Sequence, residues 1–242
     1  MRLDKLLADM QVGTRSEVKQ YIRQGKVTVD GSNKVSPKQQ VDPNTQIICC
    51  FGKEIRYQEY VYYMLYKPGN CVTARQDGIH KTVMDYIPDT RKDLSPVGRL
   101  DLDTEGLLLI TNDGMLSHNL LSPAKHVAKV YEARVDGKVT QEDVEAFRVG
   151  LDIGDEALTK PAELSVLEER ENSKVRVVIT EGRYHQIKRM FAAVGKQVVY
   201  LKRTAMGSLK LDETLLPGEY RELTDEERDA LIRQTIAQKK DL

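Results

Sequence analysis

The chain has 242 residues, with 37 Lys+Arg balanced by 37 Asp+Glu and 40% hydrophobic residues, enough for one large domain or for one small and one medium domain. The neutral sum does not by itself point to nucleic acid, and the three cysteines, Cys49, Cys50 and Cys71, have neither the spacing of a metal site nor that of a disulfide framework. No apolar run approaches the ~18 residues a membrane span needs, and the start Met1-Arg2-Leu3-Asp4-Lys5 is unlike a signal peptide, so a cytoplasmic protein with no membrane partner is expected.

Residues 1–58 read as a small helical module with a hairpin. Leu3, Leu6, Leu7 and Met10 fall on one helical face, and Gly13 ends that helix. Thr14-Arg15-Ser16-Glu17 has the form of a capping box for a second helix that buries Val18, Tyr21 and Ile22 and stops near Gly25. Lys26 to Val29 alternates as a strand, turns at Asp30-Gly31 and continues past Val35, and Gln46 to Phe51 forms another strand. The polar helix faces carry Arg2, Lys5, Arg15, Lys19, Arg23 and Lys26. On composition alone these are a solvated surface. The order of elements, however, resembles the S4 RNA-binding module, which implies that this face grips structured RNA.

Residues 59–242 form the second part. Strand-like runs start near Tyr60 and recur at Leu107–Thr111, Lys129–Val135, Val175–Thr180 and Gln197–Leu201. They alternate with helix-like runs at Met115–Leu121, Gln141–Val149 and Tyr184–Val194, and a capped helix follows Thr224. Such mixing predicts an α+β domain on one large sheet. Charge is segregated within it. Arg183, Lys188, Arg189, Lys196, Lys202, Arg203 and Lys210 follow one another with no intervening acid, whereas residues 212–229 are acidic.

The segment Gly98-Arg99-Leu100-Asp101-Leu102-Asp103-Thr104-Glu105-Gly106 places three acids and an arginine at the mouth of a buried strand that closes in an Asn112-Asp113-Gly114 turn. Any one of these carboxylates is most simply a group capping its own loop. Gly98-Arg99-Leu100-Asp101 followed by Thr104 and Gly106 nevertheless resembles the central motif of the pseudouridine synthases. Four further motifs of that family appear in the expected order along the chain: Tyr66-Lys67-Pro68-Gly69; Lys129-Val130-Tyr131; Glu181-Gly182-Arg183-Tyr184-His185-Gln186-Ile187-Lys188-Arg189-Met190-Phe191; and Leu201-Lys202-Arg203 with Met206-Gly207. With the S4-like module in front, the chain is identified as a member of the RsuA-type group, nearest its small-subunit synthase A branch because Lys188 stands where large-subunit members tend to carry arginine.

The resemblance implies a mixed, mostly antiparallel sheet flanked by helices. It makes Asp101 the nucleophile, paired with Lys188, with Tyr131 stacking on the target base and Arg99 filling the space the base vacates or binding a phosphate. Lys67, Pro68 and Leu201 support the site, and Arg183, His185 and Arg189 contact RNA. Asp103 and Glu105 keep the capping role, and His80, His118 and His126 receive none. The implied reaction breaks N1–C1′ of a uridine and rebonds C5 to C1′, which calls for no metal or other cofactor. Covalent attack by Asp101 at C1′ or C6, or help with a glycal intermediate, all remain open routes. The implied substrate is ribosomal RNA or the assembling small subunit, most specifically uridine 516 of 16S rRNA, acted on by a monomer. The alternatives are a large-subunit synthase and a non-catalytic S4-type assembly protein. A glycoside hydrolase needs two carboxylates across the bond, which Asp101 and Asp103, two residues apart, could offer from one strand face, but the S4-like module argues against it.

Overall fold

A computed structural model describes residues 1–89 and 91–237, which fold as two compact units. The first is Met1–Val61 with Asp89–Asp93, and the second is Tyr62–Pro88 with Leu94–Leu242.

In the first unit, helices α1 (Leu3–Asp9) and α2 (Arg15–Arg23) bury Leu3, Leu6, Leu7, Val18 and Ile22 against a three-stranded sheet. Helix α2 starts on the capping box read from the sequence: Glu17 N–H donates to Thr14 Oγ1 at 3.3 Å, and Thr14 N–H donates to Glu17 Oε2 at 2.7 Å. Strand β1 (Val27–Val29) ends at Asp30-Gly31, both at positive φ, which is the geometry of a tight hairpin turn. The expected continuation past Val35 does not form. Residues 37–41 instead accept from Leu3 N–H and Asp4 N–H and donate to the Met1 carbonyl, tying down the start of α1. The antiparallel partner of β1 is therefore β2 (Ile48–Cys50), followed by β3 (Lys53–Glu54).

The second unit runs β4 (Tyr62–Lys67), β5 (Ser95–Pro96), β6 (Glu105–Thr111), α3 (Gly114–Leu121), β7 (Lys129–Asp136), α4 (Gln141–Val149), β8 (Glu163–Glu168), β9 (Asn172–Ile179), α5 (Gln186–Ala193), β10 (Gln197–Met206), β11 (Leu209–Lys210), β12 (Tyr220–Glu222) and α6 (Asp225–Ala237). Its sheet has the order β12-β4-β6-β10-β7-β9-β8, with β11 on β10 and β5 on β6. The β6–β10 pair is parallel and the other pairs of named strands in this sheet are antiparallel, so the sheet is mixed and mostly antiparallel, as expected. Met64, Leu107, Leu109, Leu116, Leu120 and Leu231 pack one core against it. Asn112-Asp113-Gly114 differs from its reading as a turn: Asp113 is the N-cap of α3, its carboxylate accepting from Leu116 N–H at 2.9 Å. No helix among the described residues is long and apolar enough to cross a membrane.

Gly106 sits at the centre of the sheet because only glycine fits there. Its φ is +103°, and a Cβ would lie 2.2 Å from the Arg203 carbonyl oxygen across the β6–β10 pair. The close approach joins the strand that follows the Asp101 loop to the strand that carries Leu201 and Arg203.

Candidate active site

The loop from Gly98 to Thr104 is held from three sides. Thr73 Oγ1 donates to the Leu100 carbonyl at 2.8 Å and accepts from Leu100 N–H at 3.1 Å, clamping the residue before Asp101. Thr104 N–H donates to the Asp101 carbonyl at 3.1 Å, closing a turn after it. The fully buried Lys67 ammonium then donates to the carbonyls of Pro68 (3.0 Å), Leu102 (3.3 Å) and Thr104 (2.8 Å). Burial holds that ammonium below its ordinary value.

This loop lines a cavity of about 380 Å³ together with Tyr131, Leu201, Lys129 and Arg203 from the sheet and residues 181–188 at the start of α5. Asp101 is about a quarter exposed. Lys188 Nζ lies 3.3 Å from Asp101 Oδ2 and 2.5 Å from Asp103 Oδ1. The lysine is thus shared between two carboxylates, and the closer one is Asp103, whose expected role was only to cap its own loop. Burial opposes the charge on Lys188, but the hydrogen bond to Asp103 and the charge of Asp101 outweigh it and hold the ammonium above its usual value. Burial likewise opposes ionisation of Asp103, and the same bond overcomes it and holds the carboxyl below the usual range. His185, in a left-handed conformation ahead of α5, brings Nε2 to 3.6 Å from Asp101 Oδ1 and stacks against Tyr184 with ring centroids 3.8 Å apart.

Tyr131 is buried on β7 with its ring at the cavity, and Leu201 is buried on β10. Arg99 is exposed at the cavity rim. Arg183 and Arg189, expected to meet RNA, are engaged within the chain. Arg183 donates to Glu181, Asp155 and the carbonyls of Ala157 and Leu158, while Arg189 donates to Asp155 and the carbonyls of Ile153 and Tyr184. Their donors fasten the loop before β8 to the start of α5. Lys196 is paired with Asp143 at 2.8 Å, Lys202 lies over the Tyr66 ring, and Arg203 is buried. The basic run read from the sequence is therefore largely neutralised or internal. Gln186, which the sequence did not single out, pins the same loop: its side chain accepts from Arg183 N–H and donates to Glu181, both at 2.9 Å.

On the first unit, Arg2 pairs with Asp4 and Lys5 with Asp9, each at 2.6 Å. Arg15, Lys19 and Arg23 recur every fourth residue along α2 and are exposed, with Lys26 just beyond. Among the described residues no group of three or more His, Cys, Asp or Glu is placed to hold a metal ion.

A family model described as RNA pseudouridylate synthase matches residues 61–193, and the S4 domain model matches residues 1–47. The chain is 46% identical to the uncharacterized RNA pseudouridine synthase YtzG of Bacillus subtilis, over 94% of this chain and 96% of that one. It is 42% identical to the ribosomal small subunit pseudouridine synthase A of Vibrio cholerae, over 94% and 97% respectively. A crystal structure of a pseudouridylate synthase, 38% identical, superposes with a TM-score of 0.67 over 96% of this chain and 99% of that one.

Proposed function

The chain belongs to the RNA pseudouridylate synthase family and isomerises uridine to pseudouridine in RNA, and we propose that it acts on small-subunit ribosomal RNA, at uridine 516 of 16S rRNA, with Asp101 as nucleophile. The observation that carries the site assignment is the pairing of a partly exposed carboxylate, Asp101, with the half-buried ammonium of Lys188 at 3.3 Å inside the cavity that Tyr131 lines. Support for the substrate comes from the Vibrio cholerae relative, whose name specifies the small subunit.

A uridine in folded RNA must leave its stack before any side chain can reach it. Tyr131 offers the extruded base an aromatic face, worth roughly 1–3 kcal/mol per stacked base. Arg99 at the rim meets a neighbouring phosphate or takes the vacated place in the helix. Asp101 then acts as an anion, at C1′ or C6 of the nucleotide or by assisting a glycal route. Lys188 keeps that anion oriented, and Asp103 keeps Lys188 charged and in place. Once N1–C1′ has broken, the base turns within the cavity and C5 closes onto C1′. Lys67, Pro68 and Leu201 hold the loop and the cavity wall. The exposed stripe Arg15, Lys19, Arg23 and Lys26 docks the RNA backbone, with Arg2 and Lys5 at its edge. Arg183, His185 and Arg189 fix the α5 start that faces the RNA, His185 by direct contact. The enzyme works as a cytoplasmic monomer on free RNA or on the assembling subunit.

Mapping pseudouridine across the ribosomal RNA of a strain lacking the gene tests the substrate. Loss of one modification, at position 516 of 16S rRNA, is expected. Loss from 23S rRNA instead makes the chain a large-subunit enzyme.

A further inference from the structure

Lys129 and Arg203 line the same cavity as Asp101, yet they are only 7% and 2% exposed. The sheet brings them together: Arg203 stands directly opposite Tyr131 across the β7–β10 pair, and Lys129 lies two residues before Tyr131 on the same face of β7. Buried cations ordinarily sit on a carboxylate. Among the described residues neither of these has one. Lys129 Nζ donates to the Val127 carbonyl at 3.1 Å, Arg203 Nε donates to the Leu107 carbonyl at 2.8 Å, and one terminal guanidinium nitrogen of Arg203 is buried without a partner. Burial, reinforced by the charge of Arg203, pushes Lys129 down to about 8. Two like charges side by side in a poorly screened place cost free energy, and an anion arriving beside them recovers it. The cavity wall is thus charged in advance for something negative.

The group that becomes negative there is the base. When N1–C1′ breaks, the bonding pair leaves on uracil and spreads over N1, O2 and O4. Addition of a carboxylate at C6 places the charge on O4 instead. We propose that Lys129, backed by the fixed charge of Arg203, is a catalytic residue that stabilises the negative charge on the uracil ring between cleavage of N1–C1′ and closure of C5–C1′. This rests on reading the cavity as the uridine site. Lys129 keeps its proton throughout. If Asp101 is bonded to C1′ it is displaced when C5 bonds to C1′; if it is bonded to C6 it leaves after that closure, as the C5 proton is lost and C5=C6 re-forms. On either route the C5 proton is lost and N1 gains one, so the product is an isomer of the substrate. A resting phosphate is the other anion to weigh, and it suits the exposed Arg99 better than a lysine this deeply buried.

The test compares wild type with Lys129→Met on ribosomal RNA from a strain lacking the gene. It reads RNA Kd, the single-turnover rate at saturating enzyme, and the pH profile of kcat/KM. The other titratable groups around the cavity are Tyr131 on β7, Arg203 on β10, Asp101 and Arg99 on the loop before β6, and Glu181, Arg183, Tyr184, His185 and Lys188 around the start of α5. The expected result is a rate lowered about 100-fold or more with Kd within twofold. Wild-type kcat/KM falls as pH rises through about 8, and this limb is absent from the variant. An unchanged rate, a loss confined to Kd as for a phosphate contact, or a slow variant that keeps the basic limb each overturns the proposal. If the variant does not fold, a wild-type profile flat between pH 7 and 9.5 still overturns it. Wild type that forms no pseudouridine removes the uridine-site reading itself, whereas wild-type pseudouridine formation with a normal Lys129→Met rate removes this inference alone.

Discussion

Lys67→Met separates holding the catalytic loop from doing chemistry in it. The substitution keeps the length of the stem and removes the ammonium that ties Pro68, Leu102 and Thr104 together. Leu102 retains a second donor, Cys71 N–H at 3.4 Å, so the carbonyls most affected are those of Pro68 and Thr104. A buried acceptor left without its donor costs about 1–3 kcal/mol. Part of this is returned, because a fully buried ammonium was itself costly to desolvate. The net loss of stability is about 2–4 kcal/mol. Lys67 is buried beneath the loop, so RNA affinity stays near wild type. Asp101, however, loses the anchor on its C-terminal side, and misplacement by about 1 Å costs roughly 100-fold in rate. Urea unfolding measures the first quantity, and single-turnover isomerisation below the variant's melting range measures the second. A variant as stable and as fast as wild type refutes the anchoring role. A variant that is destabilised but turns over normally refutes the link between the anchor and Asp101.

Lys188→Met removes the cation shared by Asp101 and Asp103, and single-turnover assays are expected to lose most activity while RNA still binds in filter assays; wild-type turnover contradicts the pairing. Asp103→Asn, which leaves Asp101 intact, lowers the rate about tenfold if Asp103 holds Lys188 in place, whereas a purely capping Asp103 leaves the rate unchanged. Lys129 also makes stability depend on pH. Its folded value of about 8 lies below that of an unfolded lysine, so below pH 8 both states hold the proton and the folded state bears the cost of burying it. Between about 8 and 10.4 the unfolded chain binds more protons, and stability rises with pH by up to about 3 kcal/mol. Lys129→Met lacks that rise and is the more stable protein at pH 7; urea midpoints at pH 7.5 and 9.5 that move in parallel for the two proteins contradict this. Gly106→Ala drives a Cβ into the Arg203 carbonyl and is expected to unfold the second unit or lower its melting temperature sharply, so a stable, active variant contradicts the close packing of β6 on β10.

Much of this architecture is written in local patterns. The capping box at Thr14 and Glu17, the positive-φ turn at Asp30-Gly31 and the helix Gln141–Val149 depend on neighbours in sequence, and each forms where its pattern lies. Strand β8 escaped because Glu163–Glu168 alternates weakly, with five of its six residues exposed at the sheet edge. The motif around Asp101 was legible as a motif, but the direction of each carboxylate was not. Asp103 reaches Lys188 because Thr104 N–H closes a turn on the Asp101 carbonyl, a geometry that two-residue spacing does not encode. Charge counting misled for a related reason. Arg183 and Arg189 meet Asp155, about thirty residues earlier in the chain, and Arg203 is turned into the sheet, so a run of seven bases becomes a scaffold more than a surface.

The central claim is that Asp101 is the nucleophile of uridine isomerisation, and release of tritium from C5-labelled ribosomal RNA tests it most directly. Wild type is expected to release tritium stoichiometrically with pseudouridine and without free uracil, and Asp101→Asn, folded and still binding RNA, to release none above background. Tritium release by Asp101→Asn at the wild-type rate, or free uracil from the wild-type reaction, contradicts the account.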